Sequence, residues 1–171
     1  MKSSSHPTIE LQPIGNIRTG YAALEDCPRA ARFNPKETLI ELDEGVAEGL
    51  NRVEESTHLI VLYWFHCADR SALLRQRGKE AENPRGVFAS RSPNRPNPIA
   101  VSVVKLLGRE GNLLRVSGLD CLDGTALIDL KPYVPVDDCI PDAAIHWDYP
   151  GPPQLVQPAE NSSNPNACRC R

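Results

Sequence analysis

Short apolar segments rich in β-branched residues recur along this chain, divided by Gly, Pro, Asn and Asp, and most of them read as strands. Thr57 to His66 reads Thr-His-Leu-Ile-Val-Leu-Tyr-Trp-Phe-His. It is too short and too β-branched for a helix, and its apolar residues on both faces predict a central strand buried on both sides. Ile99–Leu107 and Leu113–Leu119 predict a hairpin across the turn Arg109-Glu110-Gly111-Asn112. Asp120 to Thr125 is a second turn, signalled by Asp123-Gly124, and Ala126–Tyr133 is the next strand. Upstream, Ile14 and Ile17 mark an edge strand over Leu11–Arg18, bent at Pro13 and Gly15, and Leu39–Leu42 is a short strand. One helical pattern appears: Val46, Leu50 and Val53 over 44–55, with Asp43 as its cap. Residues 20–36 and 69–85 read as long loops, the latter with one helical turn near Leu73, and Val87–Ala89 as a brief strand. The sum is a mainly β fold: a small closed or partly open β-barrel with one or two short helices and long loops. The domain spans 11–150, between a flexible N-terminus over 1–10 and a disordered Pro/Asn-rich tail over 151–171.

Composition changes this picture little. With 171 residues, 40% hydrophobic and 24% charged, the chain fits one soluble domain with a real core. The net charge of −3 gives no global basic signature, but Asp69 to Arg95 holds seven Arg or Lys against three acids. From Glu37 to Glu55 the balance reverses, seven carboxylates to one arginine, as a solvated acidic face would have. The longest strictly apolar run, Leu59–Phe65, has seven residues, too few to cross a bilayer as a helix. Met1 to His6 carries no apolar signal core, so the expected location is cytoplasmic. Cys27, Cys67, Cys121 and Cys139 are scattered without a CxxC pair and read as free thiols. Cys168-Arg169-Cys170 is a close pair that a soft metal or a redox role would suit, in a tail with no neighbouring ligands. No GxGxxG, P-loop or GxSxG elbow is present, and His58, His66 and His146 lack metal spacing, so no metal site is expected.

The least ordinary stretch is Gly86-Val87-Phe88-Ala89-Ser90-Arg91-Ser92-Pro93-Asn94-Arg95-Pro96-Asn97-Pro98-Ile99. Its prolines make a stiff, non-repetitive rod bearing two guanidinium groups, suited to a carboxylate, a phosphate or RNA. Three further polar clusters stand at strand ends: Pro28-Arg29, His66-Cys67, and Asp120 with Asp123-Gly124-Thr125. Beyond the last of these, Asp129, Lys131 and Tyr133 alternate on one face of a strand, either a satisfied polar ladder or a site. Pro132 removes a ladder donor there, so this segment is an edge or a strand end.

These stretches, with Gln12-Pro13-Ile14-Gly15, Cys27-Pro28-Arg29, His58 to His66, and Gly118-Leu119-Asp120 through Asp129-Leu130-Lys131-Pro132-Tyr133, resemble the TsaA-like, or TrmO, family over about 11–150. The resemblance implies S-adenosyl-L-methionine binding on a small β-barrel, homodimers, and N6-methylation of threonylcarbamoyladenosine beside the tRNA anticodon. It implies cofactor contacts at Pro28, Arg29, Ala30, His66, Cys67, Arg91, Val101, Asp123, Gly124, Thr125 and Ala126. Within that set, Arg91 or Arg29 could hold the cofactor carboxylate by a bidentate pair. Asp123 could accept from the amino group or the ribose, and Gly124-Thr125 would let backbone amides approach closely. Asp129, with Lys131 and Tyr133, is the candidate for proton handling at a weakly nucleophilic nitrogen. Arg95 and Asn97 are assigned to the substrate. The chain departs from the family pattern at Ala30, usually Gln, at Ala100, usually Gly, and in a tail where family members carry a further domain. A small-molecule methyl acceptor and a non-catalytic cofactor- or RNA-binding module remain open at this point, and no membrane association is expected.

Overall fold

The computed structural model describes residues 7–28, 34–75 and 82–145. Six strands close into an antiparallel barrel: β1 (Gly15–Arg18), β2 (Glu37–Leu42), β3 (His58–Trp64), β6 (Ile99–Glu110), β7 (Leu113–Ser117) and β8 (Thr125–Pro132). Their order around the barrel is β1-β2-β7-β6-β3-β8, with β8 pairing back onto β1. A separate two-stranded ribbon joins β4 (Leu74–Arg75) to β5 (Arg85–Gly86). A single turn of helix, α1 (Pro135–Asp138), follows β8.

Strict alternation builds the core. Ile17, Ile40, Leu42, Leu59, Val61, Tyr63, Val104, Leu114, Val116 and Leu127 point inward and are buried. Between them the strands present polar or half-exposed residues to the outside. Two register shifts, one between Leu62 and Tyr63 against β8 and one between Leu106 and Gly108 against β7, add the local twist that closure demands. Gly15 is where β1 and β2 come closest: a Cβ there would overlap the Glu41 carbonyl oxygen.

Several expectations are corrected. β1 is no edge strand, because the closed barrel gives it partners on both sides. β3 is buried on one face only; Ile60, Leu62 and Trp64 are half-exposed on the outer wall. The helix expected over 44–55 is two 3₁₀ segments, Glu44–Leu50 and Val53–Glu55, broken where Arg52 adopts φ +67°. Gly45 and Gly49 weaken α-helix there, and Asp43 makes no side-chain cap bond. Leu50 nevertheless fills its predicted apolar role, plugging one end of the barrel. Val87–Ala89 is a 3₁₀ turn rather than a strand, and Leu73 precedes β4 instead of heading a helical turn. Cys139 is disulfide-bonded, not a free thiol, and its partner lies outside the described residues. Cys168, Cys170, His146 and the tail over 151–171 also lie outside them. No helix among the described residues is long and apolar enough to cross a membrane.

Candidate functional site at one rim of the barrel

The antiparallel registers set which loops share an end of the barrel. Trp64 at the end of β3 pairs with Ile99 at the start of β6, and Thr125 at the start of β8 pairs with Ile17 near the end of β1. One rim therefore collects His66-Cys67, the Arg91–Pro98 rod, residues 118–124 and the loop that begins at Thr19. Three of the four polar clusters expected from the sequence thus meet, and Cys27-Pro28 of the first joins them through the loop after β1.

Hydrogen bonds build that rim. The amides of Thr19 and Gly20 donate to Asp123 Oδ1 at 2.9 and 3.0 Å. The Asp123 amide donates to the Tyr21 carbonyl at 2.9 Å, and the Gly124 amide to the Ile17 carbonyl at 2.8 Å. The Thr125 amide and hydroxyl both donate to the Leu122 carbonyl. The amides at Gly124 and Thr125 are thus engaged within the chain, and do not stand ready for a ligand as their sequence suggested. Gly124 has φ +73°, which is what the turn requires of it. Asn34 Nδ2 bridges the Tyr21 hydroxyl and the Leu119 carbonyl, and Lys36 lies 4.2 Å over the Tyr21 ring.

Arg95 is half-buried and bonded within the chain. Its guanidinium donates to the carbonyls of Ser92 (2.7 Å), Ser90 (2.6 Å) and Val87 (3.1 Å), folding the rod upon itself. A side chain committed to three carbonyls through Nε and Nη2 acts as a staple, a role the sequence did not suggest beside the expected substrate contact. The rod is further tied to the His66 loop: the Asp69 amide donates to Asn94 Oδ1, and Arg70 donates to the Pro96 carbonyl while lying over the Trp64 ring. The Phe65 amide donates to the Pro98 carbonyl. Arg91 is exposed and makes no hydrogen bond or ion pair among the described residues, as do His66 and Asn97 by their side chains.

Beneath the rim lies a network that the strand pattern concealed. Tyr63, 1% exposed, donates its hydroxyl to Asp120 Oδ1 at 2.8 Å and shares a 2.9 Å bond with Ser102 Oγ. Burial, then the Asp120 charge, pushes the phenol far above its ordinary range, so it stays a neutral donor. Burial pushes the Cys121 thiol up to about 12. Cys27 is raised as well, by burial first and then by Asp120 and Asp26. Asp120 therefore acts electrostatically on Tyr63, Cys121 and Cys27 together. The signal in the sequence was a tyrosine among aliphatic residues, since a buried phenol must find a partner.

The polar ladder lies elsewhere. Lys131 Nζ sits 2.6 Å from Asp129 Oδ2, and Tyr133 follows the strand with its amide donating to the His58 carbonyl. Thr125 and Tyr133 are eight residues apart on extended chain, about 26 Å. Within one chain Tyr133 is thus at the end opposite the rim, while Asp129, paired with Leu62 two residues before Trp64, lies nearer to it. A cleft of about 220 Å³ at the ladder's end is lined by Leu50, Arg52, Val53, Leu130, Lys131 and Pro132. It is smaller than ordinary ligand pockets and contains none of the rim residues.

The family model for the tRNA-methyltransferase O N-terminal domain matches residues 16–139, which include every barrel strand except Gly15 of β1. The chain belongs to this family. A probable S-adenosyl-L-methionine-binding protein of Archaeoglobus fulgidus is 43% identical over 146 residues, covering 85% of this chain and 40% of that protein. The mouse tRNA (adenine(37)-N6)-methyltransferase is 29% identical over 168 residues, 92% of this chain and 37% of the enzyme. A crystal structure of TrmO from Pseudomonas aeruginosa superposes with a TM-score of 0.68 at 36% identity, covering 85% of this chain and 65% of that one. The chain thus spans less than two thirds of the length of each.

Of the cofactor contacts the family resemblance implies, Pro28, His66, Cys67, Arg91, Asp123, Gly124, Thr125 and Ala126 gather at or beside the TrmO-domain rim. Val101 does not: it stands 47% exposed on the outer wall of β6, opposite Leu62. Arg29 and Ala30 lie outside the described residues.

Proposed function

We propose that this domain binds S-adenosyl-L-methionine at the rim and methylates N6 of threonylcarbamoyladenosine next to the tRNA anticodon. The observation that carries the reading is the convergence of Arg91, His66-Cys67, Pro28 and the Asp123 turn at one end of a barrel of the TrmO family. The names of the archaeal and mouse relatives supply the cofactor and the nucleic-acid class. Arg91 is the residue for the cofactor carboxylate, since a planar fork matches that group. Asp123 has one oxygen holding Thr19 and Gly20 and turns its other edge to solvent, where an ammonium or ribose hydroxyl can donate.

The transfer is an in-line displacement. A carbon–nitrogen bond forms as the carbon–sulfur bond breaks, S-adenosylhomocysteine leaves, and the acceptor nitrogen loses a proton. Positioning the methyl group against the nitrogen accounts for most of the acceleration. The network beneath the rim helps by keeping the barrel end rigid. In the proposed proton handling Asp129 stands nearest its own rim, whereas Lys131 and Tyr133, farther along the strand, reach a rim only from a second copy. A homodimer packed through the outer wall beside Asp129 is part of the proposal, as is a cytoplasmic site of action on tRNA.

Incubating the purified protein with cofactor and tRNA from cells lacking this gene, then resolving the nucleosides by mass spectrometry, tests the reading. One methyl group should appear on threonylcarbamoyladenosine. Cofactor binding with no methylated nucleoside would overturn the RNA assignment and leave a small-molecule acceptor or a binding module.

A further inference from the structure

We infer that Phe88 is a stacking platform for one base of the single-stranded loop of the substrate RNA. This rests on the RNA reading above and adds to it the surface on which the loop is held. Phe88 is 81% exposed, in a chain with only three phenylalanines. Leu73 (62%) and Leu74 (51%) are exposed beside it: the Val87 amide donates to the Leu73 carbonyl at 3.0 Å, and Leu74 pairs with Gly86. Three exposed apolar residues therefore stand on adjoining backbone at one corner, next to the rim.

The turn that carries the ring is held in place. Arg95 binds the carbonyls of Val87 and Ser90, one on each side of Phe88 in the chain, and Val87 is 1% exposed beneath the turn. The Ser90 amide and hydroxyl also return to the Val87 carbonyl. An aromatic ring fixed outward on a rigid turn offers wide contact area with little left to order on binding. This gives the Arg95 staple a purpose beyond folding the rod.

The charge around the ring selects the partner. From Asp69 to Arg91 the sequence holds six Arg or Lys against three acids, in a chain whose net charge is −3. An apolar π-face amid local positive charge fits a polyanion that carries flat bases. Unpaired loop bases stack on such rings, whereas paired ones cannot reach them. Phe88 precedes Arg91 by three residues, so the base it holds lies near the one to be methylated.

The test uses Phe88→Ala and Phe88→Trp in the full chain, and a ring this exposed can be removed without threatening the fold. Binding of a synthetic anticodon stem-loop is measured by fluorescence anisotropy at several salt concentrations, cofactor affinity by calorimetry, and mass by sedimentation. Phe88→Ala should weaken RNA binding about five- to hundredfold, the range for losing one base stack. Phe88→Trp should retain it. The salt dependence should not change, because a stacked base releases no counterion, and cofactor affinity and mass should equal those of the wild type. Loss of cofactor affinity instead would assign the ring to the cofactor's adenine, and a change in mass would assign it to a second copy; either result overturns the inference. Wild-type RNA binding that Phe88→Ala leaves intact overturns the platform alone. A wild type that binds no RNA overturns the platform and the RNA reading together.

Discussion

A phenol sealed inside an apolar barrel is costly unless its hydroxyl is bonded, and Tyr63 has two partners, Ser102 and Asp120. Tyr63→Phe keeps the ring and its edge-on contact with Phe65, removes only the hydroxyl, and takes one bond from buried Ser102 and one from half-buried Asp120. We expect a loss of about 1–2 kcal/mol, read as a fall in Tm of about 2–8 °C by calorimetry. An unchanged Tm would mean the network contributes no net stability. Cys121 makes a separate prediction through pH. Its folded-state thiol is pushed up to about 12, against 9.0 for the free group. Between those values the unfolded chain holds fewer protons than the folded one, so stability falls as pH rises through the window. Cys121→Ala removes that dependence. By pH 10 the wild type should have lost about 1 kcal/mol more, relative to pH 8, than the variant, as measured by urea unfolding at both pH values. At this scale the sequence exposed the clusters but not their bonding. Asp123 and Gly124 were visible as a turn, yet nothing in residue type says that the Gly124 amide is taken by Ile17, over 100 residues away.

The elements that form by local rules were legible, and those that depend on remote bonds were not. β3, β6, β7 and β8 announced themselves as short apolar, β-branched runs between turn residues, because strand preference is set locally. The 44–55 segment showed the apolar spacing of a helix, but spacing reports which side is buried, not which hydrogen-bond ladder forms. Two glycines and the left-handed Arg52 decide that in favour of 3₁₀ turns. The rod was read correctly as stiff, though its stiffness comes from Arg95 as much as from proline. Arg95→Lys should therefore fail to preserve it, since one ammonium cannot reproduce a fork to three carbonyls. We expect a loss of about 2 kcal/mol in thermal unfolding and weaker cofactor binding by calorimetry. Wild-type cofactor affinity in this variant would show that the rod needs no staple. Gly15→Ala probes β1 against β2. With the Glu41 carbonyl in the way, the strands must separate, and about 3 kcal/mol of destabilisation is expected by urea unfolding.

Closure is a property of the whole molecule, and it was expected only as one of two outcomes, closed or partly open. Which strands neighbour which could not be read from periodicity: β1 pairs with β8, the last strand of the barrel. Closure removes the backbone edges of the barrel strands, so association through the barrel wall must use its outer side chains. That wall is uneven. Ile99, Val101 and Val103 of β6 are 39%, 47% and 41% exposed, and they stand opposite Trp64, Leu62 and Ile60 of β3. Six large apolar residues in one cross-strand block form the kind of patch that marks an interface rather than an ordinary surface. Asp129 lies at its margin, opposite Leu62 on the other side of β3. A twofold arrangement through this block would bury the patch and carry each ladder toward the partner copy. Val103→Glu places a charge at the end of the block away from the rim, without touching the core. In sedimentation the wild type should run as a dimer and the variant as a monomer, with circular dichroism unchanged because the altered side chain lies outside the barrel. If methyl transfer by the variant falls while its cofactor affinity holds, the ladder acts across the interface. A wild type that sediments as a monomer at every concentration would leave the exposed wall without this partner, and Lys131 and Tyr133 without a route to the rim.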